Sequence, residues 1–165
     1  TLSNPIKIVT HHWSNNPLKG FDFYSFLDEN ISSINQNIEF TYIGQVPYGF
    51  NFKNSNLIEP QKVDFLSKNI PSFDIYLSAS INETGGNHVV EALGSGLPVL
   101  YHEQGGGISD YCKNYGISYS SKNDMIHKIS LMISEYKSFK KKALTYNSTL
   151  EDVVDKYVKL LEDRL

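Results

Sequence analysis

The sequence predicts an α/β fold: a Rossmann-like, doubly wound parallel sheet of about six strands in α/β/α layers, with a C-terminal amphipathic helix. Three observations predict it. Short apolar runs alternate with longer amphipathic ones, the signature of βαβ units. The 165 residues make one ordinary domain, spanning 1–165, and neither an internal repeat nor a long linker divides them. A glycine turn, Gly85-Gly86, joins an apolar run to an amphipathic one.

The elements follow in order. Ile6-Lys7-Ile8-Val9 reads as the first strand, and Phe23, Leu27, Ile31 and Ile34 mark a helix across residues 21–34. Phe40-Thr41-Tyr42-Ile43 is a second strand, stopped by Gly44. Pro47, Gly49 and several asparagines make residues 45–56 a loop. Leu57-Ile58 is a short, weak strand, and residues 61–69 form a short helix ended by Pro71. Phe73 to Ser78 is a central strand, Asn87 to Ser95 a helix, and Pro98 to Tyr101 the next strand. A helical turn at residues 108–114 leads to the strand Ile117-Ser118-Tyr119.

The remainder reads as helical. Ser121 and Asp124 form a capping-box-like start for a helix with the stripe Ile126, Ile129 and Ile133. Ser148 and Glu151 repeat that signal before Leu150, Val153, Val154, Tyr157 and Leu161, an amphipathic face. In a doubly wound sheet, ligands bind beyond the carboxyl ends of the strands. Loops 11–20, 44–56, 79–87 and 102–107 are therefore expected to share one rim.

Composition narrows the function classes. A net charge of −3 gives no global basic field, so nucleic acid is not an expected partner. The pI of about 5.9 agrees. No apolar run approaches the ~20 residues of a membrane span, and the first residues lack the basic and apolar regions of a signal peptide. The one cysteine, Cys112, excludes an internal disulfide and reads as a buried thiol.

Chemistry concentrates between Glu83 and Glu91. This segment leaves a strand, passes Gly85-Gly86 and enters a helix. The glycines let backbone N–H groups approach a ligand, and a helix N-terminus suits phosphate oxygens. Glu91 lies about one turn into the helix. Carboxylates accept hydrogen bonds from hydroxyls, so Glu83 and Glu91 flanking a phosphate cradle suit a sugar on each side of a diphosphate.

These residues resemble a known family. Glu83 and Glu91 have the spacing of the E-x7-E motif of retaining glycosyltransferases with the two-Rossmann-domain GT-B architecture, in the large family 4 group. Residues 91–99, EALGSGLPV, are similar to that family's E-A-x-x-x-G-x-P-V run. Gly105-Gly106-Gly107-Ile108-Ser109-Asp110 resembles its G-G-x-x-E loop, with Asp110 in place of glutamate. Lys19-Gly20 resembles the K-G motif that opens the first helix, and the closing amphipathic helix resembles the family's own. The likeness spans nearly the whole chain, as the C-terminal, donor-binding domain.

The resemblance implies roles. Glu91 would bind ribose hydroxyls and Glu83 the hydroxyls of the transferred sugar. Thr84, Gly85, Gly86, Asn87 and His88 would line the sugar and diphosphate, with His12 near the phosphates. Lys19 would neutralise the diphosphate as it leaves, as a cation stabilises charge developing on a departing oxygen. Glu83 and Lys19 are thus the catalytic candidates, with no cofactor and no metal. The donor would be a UDP- or GDP-linked hexose and the acceptor a glycan or lipid-linked molecule, as in polysaccharide biosynthesis. The expected location is the cytoplasm, peripheral at the inner membrane face in a full-length protein. The N-terminal acceptor domain is absent from this chain, so an excised fragment or dependence on a partner chain is expected, with weak transfer alone.

Two departures stand out. The family's arginine a few residues before the lysine has no counterpart in residues 11–18, HHWSNNPL, and Thr84-Gly85 replaces the usual small and bulky pair. The missing arginine favours an alternative, a non-catalytic nucleotide-sugar-binding module. Half of a sugar-nucleotide epimerase is a third reading.

Other signals have plainer readings. His11 and His12 are adjacent at the end of a strand and point to opposite faces, so one metal ion would not easily take both. His88 and His102 lie far off without ligand spacing. His11 reads as structural and Trp13 as loop packing. Gly94-Ser95-Gly96 precedes a strand and lacks a third glycine, against a dinucleotide fingerprint. Gly105-Gly106-Gly107 is either a flexible rim over the donor sugar or an ordinary connection. Lys140-Lys141-Lys142 reads as a solvated helix face. Base contacts are expected around Ile58-Glu59-Pro60.

Overall fold

The computed structural model describes residues 1–34, 37–147, 158, 159 and 162. Six strands form one sheet: β1 Ile6–His12, β2 Ile38–Gly44, β3 Asn56–Ile58, β4 Ile75–Ser78, β5 Val99–His102 and β6 Gly116–Tyr119. Their order is β3-β2-β1-β4-β5-β6, and every pairing is parallel. The helices are α1 Phe21–Asn30, α2 Val63–Asn69, α3 Asn87–Gly94, α4 Ile108–Cys112, α5 Lys122–Ser134 and α6 Tyr136–Ala143. This is the expected Rossmann-like, doubly wound fold. Of the closing helix expected from Ser148 to Leu161, Val158 and Lys159 are described, both helical and exposed, and the rest lies outside the described residues. Among the described residues no helix is long and apolar enough to cross a membrane.

The sheet separates two apolar layers because strand side chains alternate between faces. On one face Phe21, Tyr24 and Leu27 of α1 and Met125, Ile129 and Met132 of α5 cover Ile8, Phe40, Tyr42, Ile75 and Leu77. On the other, Leu66 of α2, Val89, Ala92 and Leu93 of α3 and Ile108 of α4 cover Val9, Ile43, Tyr76 and Val99. Helix boundaries follow local chemistry. The Ser121 hydroxyl accepts from the Asp124 N–H at 3.2 Å, while the Asp124 carboxylate accepts from the Ser120 N–H at 2.9 Å. This is a capping box displaced by one residue. Tyr136, Phe139 and Ala143 turn α6 inward and leave Lys141 and Lys142 exposed.

Winding reverses between β1 and β4. The loops leaving those strands open a crevice there, and a doubly wound sheet binds ligands at such a switch point.

Candidate functional site

A cavity of about 310 Å³ occupies that crevice. It is lined by Lys19, Glu83, Thr84, Gly85, Gly86, Asn87, His88, Glu91 and His12, together with His11, Trp13 and Ser14. Every site residue expected from the sequence therefore meets at one place. Residue 110 is different: the Asp110 carboxylate stands exposed on α4, 3.6 Å from Lys113 Nζ, away from this cavity.

Lys19 arrives through a short 3-10 turn, Pro17–Lys19, which Asn16 caps by accepting from the Leu18 N–H at 2.9 Å. Proline at the first position fixes φ without losing a needed donor. The Lys19 ammonium pairs with Glu83 Oε2. Both side chains are largely screened from solvent, 16% and 23% exposed. The two catalytic candidates thus neutralise each other.

Glu83 is held from behind. Residues 82–83 run beside residues 104–107: Asn82 N–H donates to Gln104 O at 2.9 Å, Glu83 N–H to Gly105 O at 3.2 Å and Gly107 N–H to Glu83 O at 2.9 Å. Gly106 has φ 67°, and a Cβ there would stand 2.8 Å from Glu83 O. The glycine-rich run is neither a free rim nor a plain connection; it is a backbone brace for Glu83, and only glycine permits that approach.

Gly86 precedes helix α3 as its N-cap and supplies no side-chain cap. Val89 N–H already donates to Gly86 O at 3.0 Å, which leaves the N–H groups of Asn87 and His88 without helical partners and with partial positive charge, so this wall attracts anions. Glu91, one turn on, is 49% exposed at its side chain. His11 Nε2 contacts Glu91 Oε2 at 2.8 Å. His11 is therefore more than structural filler. Two residues beyond Val9 along β1, it falls on the face that α3 covers.

Three imidazoles gather behind the cavity. His12 and His88 ring centres lie 4.7 Å apart, and those of His11 and His88 6.4 Å. Distance in sequence did not keep His88 away. His12 Nε2 meets Tyr24 Oη at 2.9 Å and Thr10 Oγ1 at 3.2 Å; His88 Nε2 meets Ser78 Oγ at 3.0 Å. Burial, with His88, Lys19 and His11 nearby, holds His12 well below the ordinary imidazole range. Burial, with Lys19 and His11 nearby, lowers His88 to about 3. Both rings are neutral at neutral pH, so His12 adds no cation beside a phosphate. Among the described residues, no three His, Cys, Asp or Glu side chains form a metal-holding group.

These histidines give a pH prediction. Unfolded, they titrate near 6.5; folded, His88 titrates near 3. Between those values the unfolded chain binds more protons, so stability is full above pH ~6.5 and falls as pH falls. At pH ~5 the loss traced to His88 is on the order of 2 kcal/mol. Urea unfolding of wild type and His88→Asn at neutral and mildly acidic pH measures it. An unchanged slope in the variant would contradict it.

Trp13 corrects a reading: it is 56% exposed at the cavity mouth, not packed within the loop. Residues 44–50 and Asn15 line an adjoining hollow with Glu59, so the loops share one rim as expected. Pro60, Gln61 and Leu66 form a crevice with His11, His12 and Trp13, which brings the Ile58–Pro60 loop to the same rim.

No protein-family model matches the chain, and no curated protein matches it by sequence. Its fold is that of one Rossmann half of a GT-B glycosyltransferase. The crystal structure of TarM superposes with TM-score 0.77 at 19% identity over 97% of this chain and 36% of that one. The pneumococcal O-GlcNAc transferase GtfA, in complex with UDP and GlcNAc, gives 0.70 at 19% over 98% and 36%. WaaG, a glycosyltransferase involved in lipopolysaccharide biosynthesis, gives 0.68 at 16% over 92% and 45%. The chain thus spans less than half the length of these structures.

Proposed function

We propose that this domain binds the donor of a retaining glycosyltransferase. It presents a UDP- or GDP-linked hexose to a glycan or lipid-linked acceptor held by a second domain or chain. The observation that carries the reading is the convergence of Lys19, Glu83, Glu91 and the uncapped start of α3 on one cavity at the switch point. The diphosphate lies against the first turn of α3, where free N–H groups meet its oxygens. Glu91 takes ribose hydroxyls and Glu83 those of the hexose. As the anomeric C–O bond breaks, its electron pair passes to the phosphate, the acceptor hydroxyl oxygen bonds to the same carbon and its proton passes to the departing phosphate; Lys19 and the helix N-terminus stabilise the charge that develops there. This chemistry calls on no metal. GtfA, of like fold, binds UDP and GlcNAc, which supports the ligand class.

The Lys19–Glu83 pair favours a second reading, a nucleotide-sugar-binding module without transfer, because it lessens the charge available to a leaving group.

Calorimetry with UDP, GDP and ADP tests the binding reading. At least one is expected to bind, with Glu91→Ala weakening it about tenfold or more through lost charged hydrogen bonds. No binding of any at millimolar concentration would overturn the reading. Binding that Glu91→Ala leaves unchanged would remove that residue from it.

A further inference from the structure

We infer that His11 and Tyr76 form a relay that sets Glu91 as a ribose discriminator; the inference rests on the donor-site reading above. Tyr76 lies mid-strand in β4 and is fully buried, and His11 is next to last in β1 with a side chain only 3% exposed. Polar groups so deep in a sheet cost stability unless each is satisfied. Here they satisfy one another in a fixed direction. The His11 backbone N–H donates to Tyr76 Oη at 3.1 Å. The phenol proton then has two acceptors, His11 Nδ1 at 3.1 Å and His11 O at 3.3 Å. Donation to Nδ1 leaves Nε2 as the protonated nitrogen, which donates to Glu91 Oε2 at 2.8 Å.

The consequence falls on the carboxylate. Oε2 is anchored to a buried ring, while Oε1 has no protein hydrogen bond among the described residues. Glu91 also borders two cavities. One is the phosphate-side cavity at the start of α3. The other, about 200 Å³, is lined by Val63, Leu66, Ser67, Ile70 and Ser95 between α2 and α3. A carboxylate fixed between an anion-attracting wall and an apolar cleft matches a ribose, with diphosphate on one side and base on the other. Without the anchor, Glu91 is a half-exposed glutamate free among rotamers, and hydroxyl recognition must first order it.

The anchor predicts discrimination between ribose and deoxyribose, which diphosphate contacts alone do not provide. The experiment measures Kd for UDP and 2′-deoxy-UDP by calorimetry, or for the GDP or ADP pair if that base binds more tightly. Wild type is expected to prefer the ribonucleotide about tenfold or more. His11→Leu is expected to reduce the preference to about twofold while both nucleotides still bind through their phosphates. His11→Gln, which keeps a donor near the Nε2 position, is expected to restore most of it. Tyr76→Phe keeps the ring volume and removes the hydroxyl that fixes the tautomer; it provides the same test, with a smaller fall, should His11→Leu not fold. A preference that survives both His11→Leu and Tyr76→Phe, with both nucleotides weakened alike, would overturn the relay and leave the donor site standing. No binding by wild type would overturn both.

Discussion

Lys19→Ala is expected to weaken binding of a nucleoside diphosphate by roughly ten- to a hundredfold, the range of a charged hydrogen bond of about 1.5–3 kcal/mol. Among the described residues, Lys19 is the only lysine or arginine lining the cavity. Residues 11–18 hold no arginine, and the neutral His12 and His88 supply no charge in its place. Its partner sharpens the prediction. Glu83 already holds the Lys19 ammonium, in a site dry enough to limit salt screening. A diphosphate must therefore compete with Glu83 for the same cation. Glu83→Gln removes the competitor and a negative charge, so it is expected to tighten plain UDP or GDP binding several-fold. The same change is expected to lower transfer, because a carboxylate accepts sugar hydroxyls more strongly than an amide does. Opposite signs for binding and turnover separate this exchange from simple damage. Should Glu83→Gln weaken the plain nucleotide as much as Lys19→Ala does, the pair is a structural unit and the exchange is wrong.

The competition also bears on turnover. On the proposed donor-site reading, an attached hexose would occupy Glu83 with its hydroxyls and leave Lys19 to the diphosphate. After transfer the sugar would depart with the acceptor, and Glu83 would again be free to take the cation. In this reading the ion pair favours release of the spent nucleotide.

The sequence made the sheet legible where its strands are apolar, and stopped short where they are not. It marked β1 as ending at Val9, yet the strand runs on through Thr10, His11 and His12. Those polar residues are buried because Tyr24 and Tyr76 hydroxyls, from distant segments, satisfy them. Hydrophobic pattern cannot register such pairings. The glycine motifs were legible as motifs, but their reasons are tertiary: Gly106 is small because Glu83 O lies against it. Glu83 and Glu91 could be linked from spacing, since a helix N-terminus lies between them. The contact from His11 to Glu91 spans 80 residues and depends on two elements meeting at the switch point. Trp13 was misjudged because tryptophan is usually covered, whereas here the loop tip carries it at the cavity mouth.

Gly20 carries the largest expected effect on stability. It follows Lys19 in the K-G pair, and its φ of +77° is one that an L-residue adopts at a cost of about 1 kcal/mol. Space is the greater obstacle. A Cβ at this position would lie 2.2 Å from Ala79 O and 2.6 Å from Ala79 Cβ. Neither backbone can yield easily, because Leu18 O accepts from the Ile81 N–H at 2.9 Å and Ala79 N–H donates to Tyr24 Oη at 3.0 Å. The loop after β1 is thus seated on the end of β4 by the absence of a side chain. Overpacking typically adds about 1–3 kcal/mol, so Gly20→Ala is expected to cost about 2–4 kcal/mol and to lower Tm by roughly 5–15 °C. Gly49 supplies the control: its φ is +78°, and a Cβ there would meet nothing within 4 Å. Gly49→Ala should therefore cost only the conformational share, about 1 kcal/mol. Thermal unfolding of the two variants separates strain from collision, and equal losses would refute the collision. Since Lys19 reaches Glu83 only from this seated loop, Gly20→Ala should also weaken nucleotide binding at temperatures where the domain remains folded, whereas Gly49→Ala should not.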